Sequence, residues 1–178
     1  MKNLASIFVF TILCSAFVIP QDSWYSYSTK DFSIDFPKKP DTSSQTVKSE
    51  IGDLLMEICM YEPAKDIDQN FVYGIITTSY PDSLIHSDKK ELLTGFFRNA
   101  IDGAVKNVQG KLLSEKEITM DGYPGREFRI DFQHGLAVIK MRAFLVKNKM
   151  FVVQTITDPA KELNIPAERF HHSFHLKH

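Results

Sequence analysis

The sequence predicts an α+β fold: a single twisted, mostly antiparallel sheet with one long central helix and short C-terminal helices packed on it. Apolar residues recur at every second position through most of the chain, which is typical of half-buried strands. Residues 88–108 instead show apolar residues at helical spacing. Two prolines after residue 157 stand where short helices begin.

The composition fits one folded domain. The 178 residues are 43% hydrophobic and include 14 Phe, which is enough apolar surface for a core and excludes a disordered chain. The formal net charge of −1 offers no basic surplus for nucleic acid or anionic lipid. We therefore predict a single domain over residues 22–178, preceded by a leader.

The first residues have the layout of a secretory signal peptide. Lys2 supplies a positive start, an apolar run follows at 4–13, and Cys-Ser-Ala at 14–16 offers small residues for cleavage. The predicted signal peptide covers residues 1–16, with a cleavage point as late as residue 21. A membrane anchor or a buried helix is the alternative, although the run is shorter than the ~20 residues of a membrane span. The predicted location is periplasmic or secreted.

The two cysteines allow different interpretations. Cys14 follows the apolar run, where a lipoprotein signal places its lipidated cysteine, so a lipid-anchored protein is the alternative location. The preceding Leu13 is larger than the small residue that such a signal needs. Without Cys14, Cys59 has no partner for an internal disulfide. Cys59 lies in a predicted strand, which favours a buried apolar side chain over a reactive thiol.

Five strands are predicted before the helix. Phe32, Ile34 and Phe36 alternate with polar residues, and the prolines at 37–40 end that strand. Gly52-Asp53 separates two strand-like segments and indicates a hairpin. The predicted strands cover residues 24–28, 32–36, 42–50, 54–62 and 70–80.

The helix predicted at 88–108 has one apolar stripe, which favours a core-facing helix over a lipid-binding one. Asp88 and Glu91 have capping-box spacing, with Asp in place of Ser or Thr. Gly95 and Gly103 weaken the helix and are expected to allow close approach of a strand. The stripe consists of Leu92, Leu93, Phe96, Phe97, Ala100, Ile101, Ala104, Val105 and Val108.

The C-terminal half predicts four more strands and two short helices. The helices are expected to start at Asp158-Pro159 and Ile165-Pro166. The predicted strands cover residues 111–120, 126–133, 136–146 and 149–157.

The segment DGYPGREF at 121–128 predicts a type II turn with Pro124 and Gly125 at its centre; a catalytic loop is the alternative. If His134-Gly135 is the next turn, apolar residues pair on one face of the sheet and charged residues on the other. The expected pairs are Phe128–Met141, Ile130–Ile139, Phe132–Ala137 and Glu127–Arg142.

In their order, these segments resemble a group of uncharacterised, secreted bacterial proteins with the pattern W-x-x-Y, F-x-(I/V)-x-F-P-x-x-P, G-Y-P-G-R-E and a closing S-F. The matching residues are Trp24, Tyr27, 32–40, 122–127 and Ser173-Phe174. The resemblance spans nearly the whole mature chain and implies a PsbP-like fold. PsbP itself binds photosystem II, and others of this fold bind partner proteins without shared catalytic residues. The resemblance therefore implies an architecture and a binding role.

The sequence contains no phosphate-binding glycine loop, no G-x-S-x-G, no H-E-x-x-H and no C-x-x-C, so no catalytic residue and no cofactor are predicted. Carboxylate pairs such as Asp66/Asp68 lie in polar runs and are interpreted as solvent-exposed rather than catalytic. His171 and His175 have the i, i+4 spacing of a weak metal-site candidate. A solvated tail is the alternative for these histidines.

We predict an exported, non-enzymatic binding domain for an unidentified protein or envelope component. Membrane contact is expected only with lipidation at Cys14. The candidate interaction face carries Glu127, Arg129, Lys140 and Arg142, and a plain solvated sheet is the alternative there. The second functional hypothesis is a small extracytoplasmic hydrolase with a dispersed site. A deep pocket with His86 or His134 beside a carboxylate would favour it.

Overall fold

The computed structural model describes residues 24–49 and 51–177, so the predicted signal peptide lies outside the described residues. The helices are α1 (Lys90–Asn107), a 3-10 helix at Pro159–Lys161, and α2 (Ile165–His172). The strands are β1 (Tyr25–Ser28), β2 (Phe32–Phe36), β3 (Asp41–Ser49), β4 (Gly52–Tyr61), β5 (Asn70–Ser79), β6 (Lys111–Met120), β7 (Tyr123–Phe132), β8 (Ala137–Val146), β9 (Lys149–Thr157) and β10 (His175–Leu176).

The strands form two antiparallel sheets. A seven-stranded sheet has the order β3-β4-β5-β9-β8-β7-β6, and a three-stranded sheet has the order β1-β2-β10. The helix α1 packs on one face of the large sheet, and the small sheet packs with α2 on the other. The large sheet is therefore the middle of three layers.

The predicted fold class is wrong in its architecture. It placed every strand in one sheet, whereas β1 and β2 form a separate small sheet in which β2 pairs with β10. Strands account for 52% of the described residues, and only α1, with 18 residues, is a helix of any length. The alternation at Phe32, Ile34 and Phe36 identified a half-buried strand correctly. A period of two does not reveal which sheet a strand joins.

The packing of α1 over the sheet confirms that most of the apolar stripe faces the core, although Leu92 is 44% exposed. Phe97 and Ile101 are buried against β7 and β8. The predicted start and capping box are wrong, because the helix begins at Lys90 and no side chain caps it. The close approach predicted at Gly95 and Gly103 is also wrong, since a Cβ there would meet no neighbouring element within 4 Å.

The opposite face of the large sheet carries an aromatic core. Its rings meet edge to face, with centroids 5.0 Å apart for Phe36 and Phe170 and 5.3 Å apart for Tyr73 and Phe170, which is a favourable ring geometry. Trp24 packs edge-on against Tyr73. The guanidinium of Arg169 lies 4.2 Å from the centre of the Trp24 ring. This core and the residues packed against it include Trp24, Phe36 and Phe174, which belong to the sequence pattern shared with the bacterial group.

The turn before β7 lies three residues earlier than predicted. Asp121 and Gly122 have φ angles of 50° and 82° and form the turn, while Pro124 and Gly125 lie inside β7. Gly125 is needed there because an added Cβ would lie 2.6 Å from the Ala143 carbonyl oxygen. The register predicted between β7 and β8 is confirmed at all four predicted pairs.

Both short C-terminal helices are confirmed, each with proline in its first two positions. The side chain of Asn164 caps α2 by accepting a hydrogen bond from the Ala167 amide at 2.8 Å. Asn70 donates to Asn164 at 2.9 Å and accepts from Thr157 at 2.5 Å. These buried, mutually satisfied polar groups fix α2 to the ends of β5 and β9.

Candidate functional site

A groove of about 610 Å³ opens between the small sheet and the outer strands of the large sheet. The β1–β2 turn, residues 29–31, forms one wall, and β3, β4 and β5 form the floor. The groove exists because the small sheet packs over the centre of the large sheet, while β3 and the outer part of β4 extend beyond it.

Strand alternation determines which side chains face this groove. In the β4–β5 register Glu57 pairs with Thr77 and Cys59 with Ile75, and paired residues share a face. The hydroxyl of Thr77 donates to Oε2 of Glu57 at 3.1 Å. Further hydroxyl groups come from neighbouring strands. The groove therefore surrounds one carboxylate with the hydroxyl groups of Tyr27, Thr42, Ser43, Ser44, Thr77 and Ser79.

The thiol of Cys59 is at the inner end of the groove and is 5% exposed. Burial raises the pKa of Cys59 to about 12, and a hydrogen bond with Tyr27 opposes this only partly. Burial likewise raises the pKa of Tyr27. The thiol is therefore protonated at neutral pH and is not a nucleophile. This agrees with the expected buried side chain rather than a reactive thiol.

Charged groups stand at the rim of the groove. Lys149 Nζ and Asp31 Oδ2 are 2.6 Å apart and neutralise each other. Lys30 and Glu57 have no ion-pair partner within 4 Å among the residues that the structure describes. The groove thus presents one cation and one anion that a ligand can pair with.

The candidate interaction face predicted from the sequence lies elsewhere, beneath α2. Arg142 Nε is 2.6 Å from Glu127 Oε2, and Lys140 Nζ is 2.5 Å from Glu168 Oε1 of α2. Arg129 pairs with Glu162, in the segment that leads into α2. The four predicted residues do share one face of the sheet. Their charges are engaged within the protein, in contacts that hold α2 on the sheet.

The carboxylate of Glu127 shows how strongly this layer is paired. Burial by itself would raise its pKa, but hydrogen bonds from Lys116 and Arg142 outweigh burial and lower the pKa to about 2. Lys116 Nζ lies 2.7 Å from Glu127 Oε1. Glu127 is therefore ionised at any physiological pH and accepts charge-assisted bonds on both oxygens.

The two histidines of the weak metal-site candidate occupy different elements. His171 is 1% exposed in the last turn of α2, with Nε2 3.1 Å from Thr155 Oγ1. His175 is exposed in β10. Burial, reinforced by Lys140 and Arg142, holds the pKa of His171 well below its usual value. Within residues 24–49 and 51–177 no cluster of three His, Cys, Asp or Glu side chains could hold a metal ion.

The histidines named for a hydrolase are at the surface. His86 lies 3.4 Å from Asp88 and 3.7 Å from Asp82, but these carboxylates are 87% and 74% exposed. His134 stands in the exposed turn between β7 and β8. Neither histidine lines the groove.

The groove itself was missed at the level of sequence. Its residues come from six strands and a turn, and many of them are short hydroxyl side chains without characteristic spacing. One signal was available in residues 42–50, which contain a single apolar residue, Val47. A strand without an apolar face belongs at an exposed edge, and the groove lies beside that edge.

Comparison with known proteins identifies the fold. No family model matches the sequence, and no curated protein matches it. The two-sheet arrangement is a PsbP-like fold, as the resemblance implied. The solution structure of cyanobacterial PsbP (CyanoP) from Synechocystis sp. PCC 6803 aligns with a TM-score of 0.54 and 14% sequence identity, covering 93% of this chain and 99% of that chain. At this identity the likeness shows the fold alone.

None of the helices in the described part of the chain has the length and apolar character needed to cross a bilayer.

Proposed function

We propose that this protein is an exported, non-enzymatic binding domain and that the groove between its two sheets holds the ligand. The groove is the observation that carries the proposal: about 610 Å³ of space lined by hydroxyl groups, with Glu57 and Lys30 free of ion pairs among the described residues. Hydroxyl groups and opposite charges suit a polar ligand such as a peptide or an envelope glycan. The PsbP-like fold is compatible with such a role.

The chemistry of two buried side chains in the described part of the chain favours a binding role. The thiol in the groove is protonated, and His171 is neutral and buried next to cations. Export into the periplasm or medium rests on the signal-like residues 1–16. The mass of the mature N-terminus separates a free chain cut at residues 16–21 from one lipidated at Cys14.

Site-specific photo-crosslinking in the native envelope tests the groove. A benzophenone residue replaces Lys30 at the groove rim, and a matched probe replaces Ser114, which is exposed on β6 outside the groove. We expect an adduct from position 30 that Glu57→Gln diminishes, and none from position 114. Equal labelling at both positions, or none at either, would contradict the proposal.

A further inference from the structure

The strand β3 is an edge with an open side. Its nine residues pair with β4 in unbroken register, from Asp41–Met60 to Ser49–Gly52, and all nine are exposed. In the described part of the chain no strand pairs with its other side. Alternate N–H and C=O groups of β3 therefore point outward without a strand partner, which is the arrangement that accepts an added strand.

The groove-side face of this edge carries opposite charges. In the β3–β4 register Ser44 pairs with Glu57 and Lys48 with Asp53, so all four side chains share that face. Lys48, like Glu57, has no ion-pair partner within 4 Å among the described residues. The edge strand thus offers the cationic side chain of Lys48. Four residues earlier, at Ser44, the neighbouring strand β4 offers the carboxylate of Glu57.

A second, antiparallel copy of β3 matches this order. The register that sets Thr46 opposite Thr46 of the second copy also sets Lys48 of each copy opposite Ser44 of the other. Ser44 is short, and Glu57 stands beside it on β4, two strand spacings or about 9.6 Å from the added strand. A lysine side chain lying across Ser44 can meet the Glu57 carboxylate. The two-fold symmetry makes this contact twice.

We infer that the protein is a homodimer joined edge to edge through β3, in an antiparallel register centred on Thr46. The two large sheets become one continuous sheet, and Lys48 of each copy pairs with Glu57 of the other. Leu55 is 50% exposed and pairs in register with Thr46, so it lies close to the two-fold axis and loses exposed apolar surface on association. The added strand also extends the floor of each groove beyond β3. A carboxylate accepts more than one charge-assisted hydrogen bond, so Glu57 can meet Lys48 and a ligand cation together. The dimer does not depend on a ligand in that groove.

A cysteine pair tests the register. Thr46→Cys sets two thiols across the axis with Cα atoms about 4.5–5.5 Å apart, which a disulfide can bridge. We expect a covalent dimer by mass after mild oxidation. Ser44→Cys is the matched control, because its own copy lies about 14 Å away along the strands. The native Cys59 is buried and protonated and is not expected to form a disulfide under these conditions. Equal disulfide yields from both variants would overturn the register.

Charge reversal tests the contact. In sedimentation velocity over a concentration series, we expect Lys48→Glu and Glu57→Lys each to weaken the dimer about tenfold or more, since each change acts at two symmetric contacts. The double variant restores the opposite charges and is expected to restore the dimer. Lys111→Glu on β6 is the control and should change nothing. Circular dichroism checks that each variant is folded.

A monomer at every concentration, or a double variant no tighter than the single ones, would overturn the homodimer. Continued crosslinking from position 30 in that case would leave the proposed groove function standing, so the two failures are distinguishable.

Discussion

The large sheet ends in two edge strands of similar length, β3 and β6, and they differ in nearly every other respect. The ladder of β6 is interrupted by a register shift between Leu112 and Ser114, whereas β3 pairs without a break. Charged side chains of β6 are held in ion pairs with α1 and β7, and β3 makes none among the described residues. The β6 pairs are Glu115–Arg98 at 2.8 Å, Lys116–Glu127 at 2.7 Å and Glu117–Arg126 at 2.7 Å.

This difference teaches that one edge of a sheet can discourage pairing with a further strand while the other edge remains able to pair. A bulge and fixed charges discourage a further strand from pairing with β6. Short polar side chains and regular pairing leave β3 able to accept one. The β6 end is also the buttressed end, because α1 packs on β7 and β8, whereas the hairpin of β3 and β4 pairs with β5 only from Met56 onward.

If stability resides at the β6 end, one added methyl group at Gly125 is expected to cost more than one in the β3–β4 turn. Its Cβ would lie 2.6 Å from the Ala143 oxygen and 2.6 Å from a ring carbon of Phe144. We expect Gly125→Ala to lower the free energy of unfolding by about 2–3 kcal/mol in urea denaturation. Gly52→Ala in the β3–β4 turn meets no atom but has φ of 111°, and should cost only about 1 kcal/mol. Equal losses would break the comparison.

A smaller effect is expected from acid, again away from β3. The folded pKa of His171 is depressed, so its neutral form is fully compatible with the fold above about pH 6.5. Below that pH, His171 binds a proton in the unfolded chain but not in the folded chain. The free energy of unfolding therefore falls by about 1.4 kcal/mol for each pH unit. Glu127 does not contribute in this window, because its stabilisation is lost only as pH falls below 4.5 towards about 2.

The measurement for the acid effect is the free energy of unfolding between pH 7 and pH 5. We expect His171→Gln to remove most of the slope, while His172→Gln, whose side chain is 67% exposed, keeps it. A slope unchanged in His171→Gln would mean that another group carries the acid sensitivity.

The smallest effect is expected at Gly95 in α1. The position is helical and an added Cβ meets no neighbouring element within 4 Å, so Gly95→Ala should raise the free energy of unfolding by about 0.5–1 kcal/mol. Gly110→Ala is the control and should destabilise, since its Cβ would lie 2.5 Å from Ile130. Hydrogen exchange should slow in β7 and stay unchanged in β3. Slowing in β3 would show that the two ends are coupled.

Local patterns predicted local structure well. The alternation in residues 126–133 and 136–146 set the apolar residues on one face, and the assumed turn at His134-Gly135 then set the β7–β8 register. The turn was misplaced because Pro-Gly is a common turn centre. Here Asp121 and Gly122 take the positive φ angles, and Gly125 is needed for close packing instead.

Arrangements that depend on distant residues could not be predicted. Glu127 and Arg142 were correctly set on one face, but the helix that covers this face follows β9 by several residues, and no local pattern reveals where it docks. The groove is a similar case, because Tyr27, Glu57 and Thr77 meet only after two sheets have packed. The spacing of these residues along the sequence does not predict that they come together.

The second strand and the last described strand are partners: β2 pairs with β10, and the Asp35 amide donates to Ser173 Oγ at 3.0 Å across 138 positions of sequence. During synthesis from the N-terminus, the chain cannot complete the aromatic core until residues 165–176 have emerged. Until then Phe32 and Phe36 lack the rings of Phe174 and Phe170. The order of the chain thus delays closure of the aromatic core until α2 and β10 are available to pack.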